Sequence, residues 1–354
     1  MEMPNVKPPT TDISALEDKY ARAAGRARAN YAFYLGATNH NLDEIRAVRP
    51  GQAAGIKVFM GASTGDMLVD DEQVLEKIFA DSPLLIATHC EDTPMIKANE
   101  ERARQKYGEN VPMSEHPRIR SEAVCYKSSS LAVELATRHD ARLHVLHLTT
   151  AKELDLFTAG PVAGKRIISE VCVHHLFFDE SDYQRLDTQI KCNPAIKTAA
   201  DREALLLAVA EDRIDVIATD HAPHTAAEKA ATYFHAPAGL PLVQHALLMV
   251  LEQVHLGRFS IAQAVLKTSH AVAEVFGVRD RGYIREGYFA DLVLVDPDRP
   301  TTVLRKDLLY KCGWSPMEGY TFRSSIRATL VNGEIGWLDG QLSQSVAGQR
   351  LEFS

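Results

Sequence analysis

Four short apolar stretches of this chain each hold a side chain that a buried strand does not need. Lys57 sits inside Gly55–Met60 (GIKVFM), and His89 ends Leu84–His89 (LLIATH). His144 and His147 fall within Leu143–Leu148 (LHVLHL), and Asp220 ends Ile214–Asp220 (IDVIATD), followed by His221-Ala222-Pro223-His224. Two imidazoles, a carboxylate and a lysine at one place form a set of hard and borderline donors suited to zinc. The lysine adds a particular option. Its amine, made neutral by burial, can take up carbon dioxide to give a carbamate, an anionic ligand able to bridge two cations. Two cations sharing that bridge lower the pKa of bound water and make a nucleophile at neutral pH. Asp220 would then be both ligand and general base, passing the proton on to a leaving nitrogen. The chemistry indicated is metal-assisted hydrolysis of an amide-like bond. Each residue alone has a plainer use: Lys57 can snorkel to solvent, and Asp220 can cap the helix that follows. Their recurrence at the ends of four strands is what carries the metal reading. Period-2 alternation places His144 and His147 on opposite faces, so at most one of them is expected to point inward.

These residues need a frame that brings strand ends together. Continuous apolar runs recur at Tyr31–Gly36, Gly55–Met60, Leu84–His89, Leu143–Leu148, Arg166–His174 and Ile214–Asp220, with Met1–Met3 as the tail of one more. Runs of this kind read as strands buried on both faces, as in a parallel sheet. Between them the spacing predicts helices over Val69–Phe79, Ser121–Arg138, Ala200–Glu211, Gly239–Leu256 and Ile261–Phe276. The alternation implies a β/α fold with right-handed crossovers, and in a β/α barrel the C-terminal strand ends converge on one mouth. Gly282–Pro297 and Ser325–Ile335 break the rhythm as short strands joined by turns, with Asn332-Gly333 a hairpin signal. Gln341–Ser354 is expected to be a frayed tail.

Composition narrows the function classes. The 354 residues carry 39 Lys+Arg against 47 Asp+Glu, a net charge of −8, without a basic run; nucleic acid is not the expected partner. No apolar stretch reaches the roughly 20 residues of a membrane helix, and the first residues lack the pattern of a secretory signal. Five scattered cysteines, none spaced CxxC, argue against a disulfide framework or a Cys-based zinc site and fit a reducing cytoplasm.

The segments MEMPNVKPPTT, GIKVFMG, ATHCED, LHVLHLTTAKE, CNPAIK and ATDHAPH resemble, in this order, the signature segments of dihydroorotases, in the cyclic-amidohydrolase branch of the amidohydrolase superfamily. The resemblance runs from Met1 to about Asn332. It implies a (β/α)8 TIM-type barrel over 1–281, a small β unit over 282–340 and a tail over 341–354. Carried over residue by residue, it implies Lys57 as the carboxylated lysine, His89 and His147 as ligands of the more buried Zn2+, and Asp220 as ligand and proton shuttle. Asn5, Asn193 and His224 match the family's contacts to the substrate, dihydroorotate or N-carbamoyl-aspartate, while His221, His174 and His175 are expected to be structural. Dihydroorotate carries a carboxylate that hydantoins and allantoin lack, so donors such as Asn5, Asn193 and His224 favour it. Thr225–Gly239 is the stretch expected to cover the substrate.

One part of the pattern departs. The family begins with a strand carrying HxH followed by Arg, whereas none of the fourteen His of this chain precedes His40. The expectation is therefore a barrel incomplete at its N-terminus, with a mononuclear zinc state open beside the two zinc ions of the complete family site, and apolar faces such as Leu292, Leu294 and Leu330 exposed. Two other readings stay open: an inactive homologue acting as a scaffold, for instance for aspartate transcarbamoylase, and a hydantoinase or allantoinase. A homodimer is common in the family.

Overall fold

A computed structural model describes residues 1–61 and 67–354. The six apolar runs form six strands: β1 (Leu35–Gly36), β2 (Ile56–Phe59), β3 (Ile86–His89), β4 (Leu143–Val145), β5 (Ile167–Cys172) and β6 (Val216–Ala218). They pair parallel and in sequence order, β1 to β6. This is the α/β barrel wall expected from the alternation. Met1–Met3 adds a single parallel bridge, Glu2 to Phe33, beside the run that ends in β1.

Alternation along the strands sorts their side chains onto two faces. Ile56, Val58, Ile86, Leu143, Val145, Val171 and Ile217 join the larger core, packed with helix residues such as Leu75, Ile78, Phe79 and Leu135. Ala87, Ile168 and Val216 face the other way, into a smaller cluster with Tyr34, Ala271, Val275 and Phe276. That inner face is where Lys57 and its companions stand.

The predicted helices form with shifts of a few residues: Glu72–Asp81, Glu122–His139, Ala199–Ala210 and Ala246–His255. The last, over 261–276, contains a π-helical turn at Leu266–His270. Helices at Ile13–Ala23 and Thr93–Tyr107 were not anticipated. Each follows an aspartate whose carboxylate caps the first turn, Asp12 accepting from Ala15 N–H and Asp92 from Met95 N–H. No helix of the described residues is long and apolar enough to cross a membrane.

The C-terminal unit holds β7 (Leu292–Asp296), β8 (Thr301–Thr302), β9 (Thr321–Phe322), β10 (Ser325–Val331), β11 (Glu334–Leu338) and β12 (Gln341–Leu342). Asn332 and Gly333 both take positive φ, 53° and 87°, and join β10 to β11 as the hairpin turn their sequence signals. Leu294 is 60% exposed, while Leu292 and Leu330 are half-buried. The expected fraying of the tail is not observed. Tyr31 N–H donates to Gln349 O, Leu351 N–H to Tyr31 O and Ser354 N–H to Gly277 O. The Arg350 guanidinium also lies 3.5 Å over the Tyr20 ring. A cation–π contact and backbone pairing supply what the polar composition of this segment conceals.

Candidate functional site

Lys57 projects inward from β2 and is 2% exposed. Its ammonium lies 4.0 Å from the Phe59 ring centroid, and its hydrogen bond to Val58 O is stretched to 3.5 Å. Among the described residues these are its polar and ring contacts, and a buried cation so served is costly to keep charged. Burial lowers its pKa to about 7, with Cys90, Asp220 and Glu170 pulling the other way. Near neutral pH a large share of this lysine is therefore a free amine, the form that accepts carbon dioxide.

His89 and His147 meet directly, His89 Nδ1 lying 2.9 Å from His147 Nε2 with the rings edge to face. Burial keeps both imidazoles neutral at physiological pH, and Lys57 lowers both further. The expectation that at most one of His144 and His147 points inward is corrected. β4 ends at Val145, and His147 has φ +63°, which breaks the two-residue period and turns the ring inward. His144 faces inward as well, with Nε2 3.2 Å from Glu170 Oε2. Glu170 on β5 is a site residue that sequence reasoning missed. A charge inside the apolar run RIISEVCVH is the same signal as Lys57.

A second missed element orients His89. Its Nε2 lies 2.8 Å from Glu91 Oε2, and Glu91 pairs with the Arg120 guanidinium. Burial opposes the Glu91 carboxylate, yet Arg120 and His89, with Lys197 beyond, pull its pKa down to about 2. The ionised carboxylate holds the proton of His89 on Nε2 and leaves Nδ1 as the lone pair facing His147, the arrangement that metal-ligating histidines use. Gly61, after β2, lies flat on this turn: a Cβ there would run into the Glu91 carbonyl. Replacing Arg120 with Met strands Glu91 as a buried unpaired charge. The expected loss is about 3–5 kcal/mol of stability, read by urea unfolding; Arg120→Lys should recover part of it.

Asp220 follows β6 with φ +44°. It retains partial exposure, so its carboxyl can exchange a proton with solvent. Enough protein crowds it that burial, with Glu170 repelling, raises its pKa to about 6 against the pull of Lys57. Asp220 does not close with the histidine pair into a three-donor group within 4.8 Å; its link to the others is electrostatic, through Lys57.

The expected substrate contacts differ in their surroundings. Asn5 is exposed. Asn193 keeps a buried side-chain oxygen without a partner. The ring of His224 is tied to the 236–239 stretch, Nε2 to Ala238 O at 3.1 Å, and its carbonyl accepts from Trp314 Nε1 at 2.7 Å. His221 Nδ1 accepts from Leu242 N–H at 3.0 Å while the ring stacks on Tyr310. The stretch expected to cover the substrate is anchored by two lysines. Lys229 Nζ donates to Lys191 O, Pro237 O and Gly239 O, and Lys191 Nζ to Tyr233 O and Ala236 O.

Two converging neutral imidazoles beside a lysine whose pKa burial lowers to about 7 fit a divalent cation. Known proteins bear on that fit. The Amidohydrolase family profile matches residues 12–336. A dihydroorotase of Halobacterium salinarum is 33% identical over 353 residues, 99% of this chain and 80% of that protein. An allantoinase of Desulfitobacterium hafniense is 28% identical, over 99% of this chain and 79% of its own length. Among solved structures, the L-hydantoinase (dihydropyrimidinase) of Arthrobacter aurescens superimposes with a TM-score of 0.92 at 26% identity, over 99% of this chain and 80% of that one. On this match of sequence, barrel and inward-facing residues, the chain belongs to the amidohydrolase family, with its similarity running to the dihydroorotases within it.

Proposed function

We propose that this chain is a dihydroorotase-type hydrolase, which opens the ring amide of dihydroorotate to N-carbamoyl-aspartate and closes it in the reverse, pyrimidine-forming direction. The observation that carries the reading is the inner face itself: two neutral imidazoles 2.9 Å apart, a buried lysine near neutrality and a carboxyl with a raised pKa. Lys57 as its carbamate, His89, His147 and Asp220 would hold zinc. When bound, the metal supplies Lewis-acid polarisation of the amide carbonyl and activation of water.

The chain's own residues do the rest. Asp220 takes a proton on its carboxylate and returns it to the departing ring nitrogen, a task suited to a pKa close to the working pH. Glu91, held by Arg120, keeps His89 in the tautomer with Nδ1 free. Asn5, Asn193 and His224 orient the substrate carboxylate; the Asn193 amide, with its oxygen unpartnered, can turn to present its N–H donors. The Lys191 and Lys229 anchors fix the stretch through which His224 acts.

The likeness to a hydantoinase barrel supports a second reading, in which the ring opened is a hydantoin or allantoin. Zinc-loaded protein should turn over dihydroorotate in preference to hydantoin and allantoin. Preference for either of the latter would move the chain to that branch. Bound zinc without turnover of any of the three would leave the scaffold reading.

A further inference from the structure

Sequence reasoning assigned His174 and His175 a structural role, yet the turn that follows β5 does something more specific with them. His175 N–H donates to Cys172 O at 3.0 Å and folds the chain back on itself. The donor atoms of Cys172, His174 and His175 come within 4.8 Å of one another, and all three residues are buried. Among the described residues, three of the four ring nitrogens have no hydrogen-bond partner. Both ring nitrogens of His174 are buried without a partner, as is Nδ1 of His175. His175 Nε2 lies 3.1 Å from Pro194 O, so Nε2 holds the proton and Nδ1 presents its lone pair. A backbone carbonyl fixing the tautomer of an imidazole in this way is the outer contact that metal-ligating histidines have.

A buried imidazole with neither nitrogen satisfied is expensive; a cation would satisfy it. We propose that Cys172, His174 and His175 form a further metal site, of one thiolate and two imidazoles, for zinc or a similar borderline divalent cation. Around tetrahedral zinc a sulfur and a nitrogen ligand stand about 3.5 Å apart, so closing the site takes side-chain movements of roughly 1 Å. On binding, the Cys172 S–H bond breaks, the sulfur lone pair forms the metal–sulfur bond, and the proton goes to buffer. Burial, with Glu170 and Asp220 adding to it, raises the Cys172 thiol well above its usual range, so the thiol keeps its proton until a cation displaces it. The site adjoins the Lys57–His89–His147 group but shares no proposed ligand with it.

Cobalt(II) added to the metal-free full-length chain tests this without requiring turnover. The expected result is a sulfur-to-cobalt charge-transfer band whose saturated amplitude corresponds to one cobalt per chain, the Lys57–His89–His147 group taking up cobalt without a sulfur band. Cys172→Ser should abolish the band, and His174→Gln should weaken cobalt binding more than about 100-fold. His147→Gln should leave the band in place, because it affects the neighbouring group. Absence of the band in the wild type at saturating cobalt, or its survival in Cys172→Ser, overturns the proposal. Where Cys172→Ser does not fold, His174→Gln, which keeps all five thiols, decides: unchanged affinity overturns the site. Loss of dihydroorotate turnover would bear on the function proposed above and not on this band.

Discussion

Lys57→Met is expected to abolish hydrolysis and, in the same protein, to stabilise the metal-free fold. On the proposed function, the first effect follows from the loss of the anionic ligand that a carbamate on Lys57 would supply. Without a carbamate on residue 57 the histidine pair and Asp220 are left to hold zinc alone. Losing several kcal/mol of transition-state stabilisation corresponds to about 10³-fold or more in kcat/KM. The second effect follows from burial. A lysine moved from a pKa of 10.5 to about 7 binds fewer protons in the folded than in the unfolded chain between those values, so stability rises with pH across that window. The cost of burial is complete below about 7 and gone above 10.5, on the order of 4 kcal/mol at neutral pH. Met fills similar volume without a charge. Urea unfolding of metal-free proteins should show Lys57→Met ahead of wild type at pH 6.5, with the gap closing at high pH. An unchanged or reversed gap would mean that Lys57 is solvated and unfit for carboxylation. Bicarbonate during zinc loading should raise the activity of wild type and leave Lys57→Met unaffected.

The legibility of these residues in the sequence had a physical basis. Lys57 stood out because an apolar strand run carrying a charge is costly unless the charge is used, and the fold did place it inward. Glu170 gives the same signal within RIISEVCVH, but it lies in the middle of its run, away from the strand end where donors are sought. His147 was reached through its segment while the alternation argument pointed elsewhere; that argument assumes extended backbone, and a φ of +63° is invisible in a sequence. Arg120 lies 29 residues from Glu91, and a pairing of that span leaves no local pattern. The tail was misjudged for a similar reason: composition reports polarity, whereas Arg350 over Tyr20 is a tertiary contact. The strands themselves were legible because burial on both faces writes itself into consecutive residues.

Asp220 separates chemistry from structure in two substitutions. Asp220→Asn keeps the shape and removes the proton acceptor, and asparagine tolerates the left-handed backbone that residue 220 adopts at φ +44°. Its kcat/KM for dihydroorotate hydrolysis should fall by about 10²–10⁴-fold with no loss of stability. Asp220→Ala should lose as much activity and, in addition, about 1–2 kcal/mol of stability, because alanine carries a Cβ with no polar group to compensate in that conformation. The pH dependence has a definite sign. Hydrolysis needs the carboxylate form, so in wild type the rate rises as pH passes upward through the Asp220 pKa. That pKa is about 6 in the metal-free protein, and a cation bound beside it moves the limb to lower pH, since positive charge favours the ionised form. Asp220→Asn should lack the limb. Asp220→Asn activity within tenfold of wild type, with the acid limb retained, would assign proton transfer to another group, and Glu170, facing the same interior, would be the next carboxylate to replace.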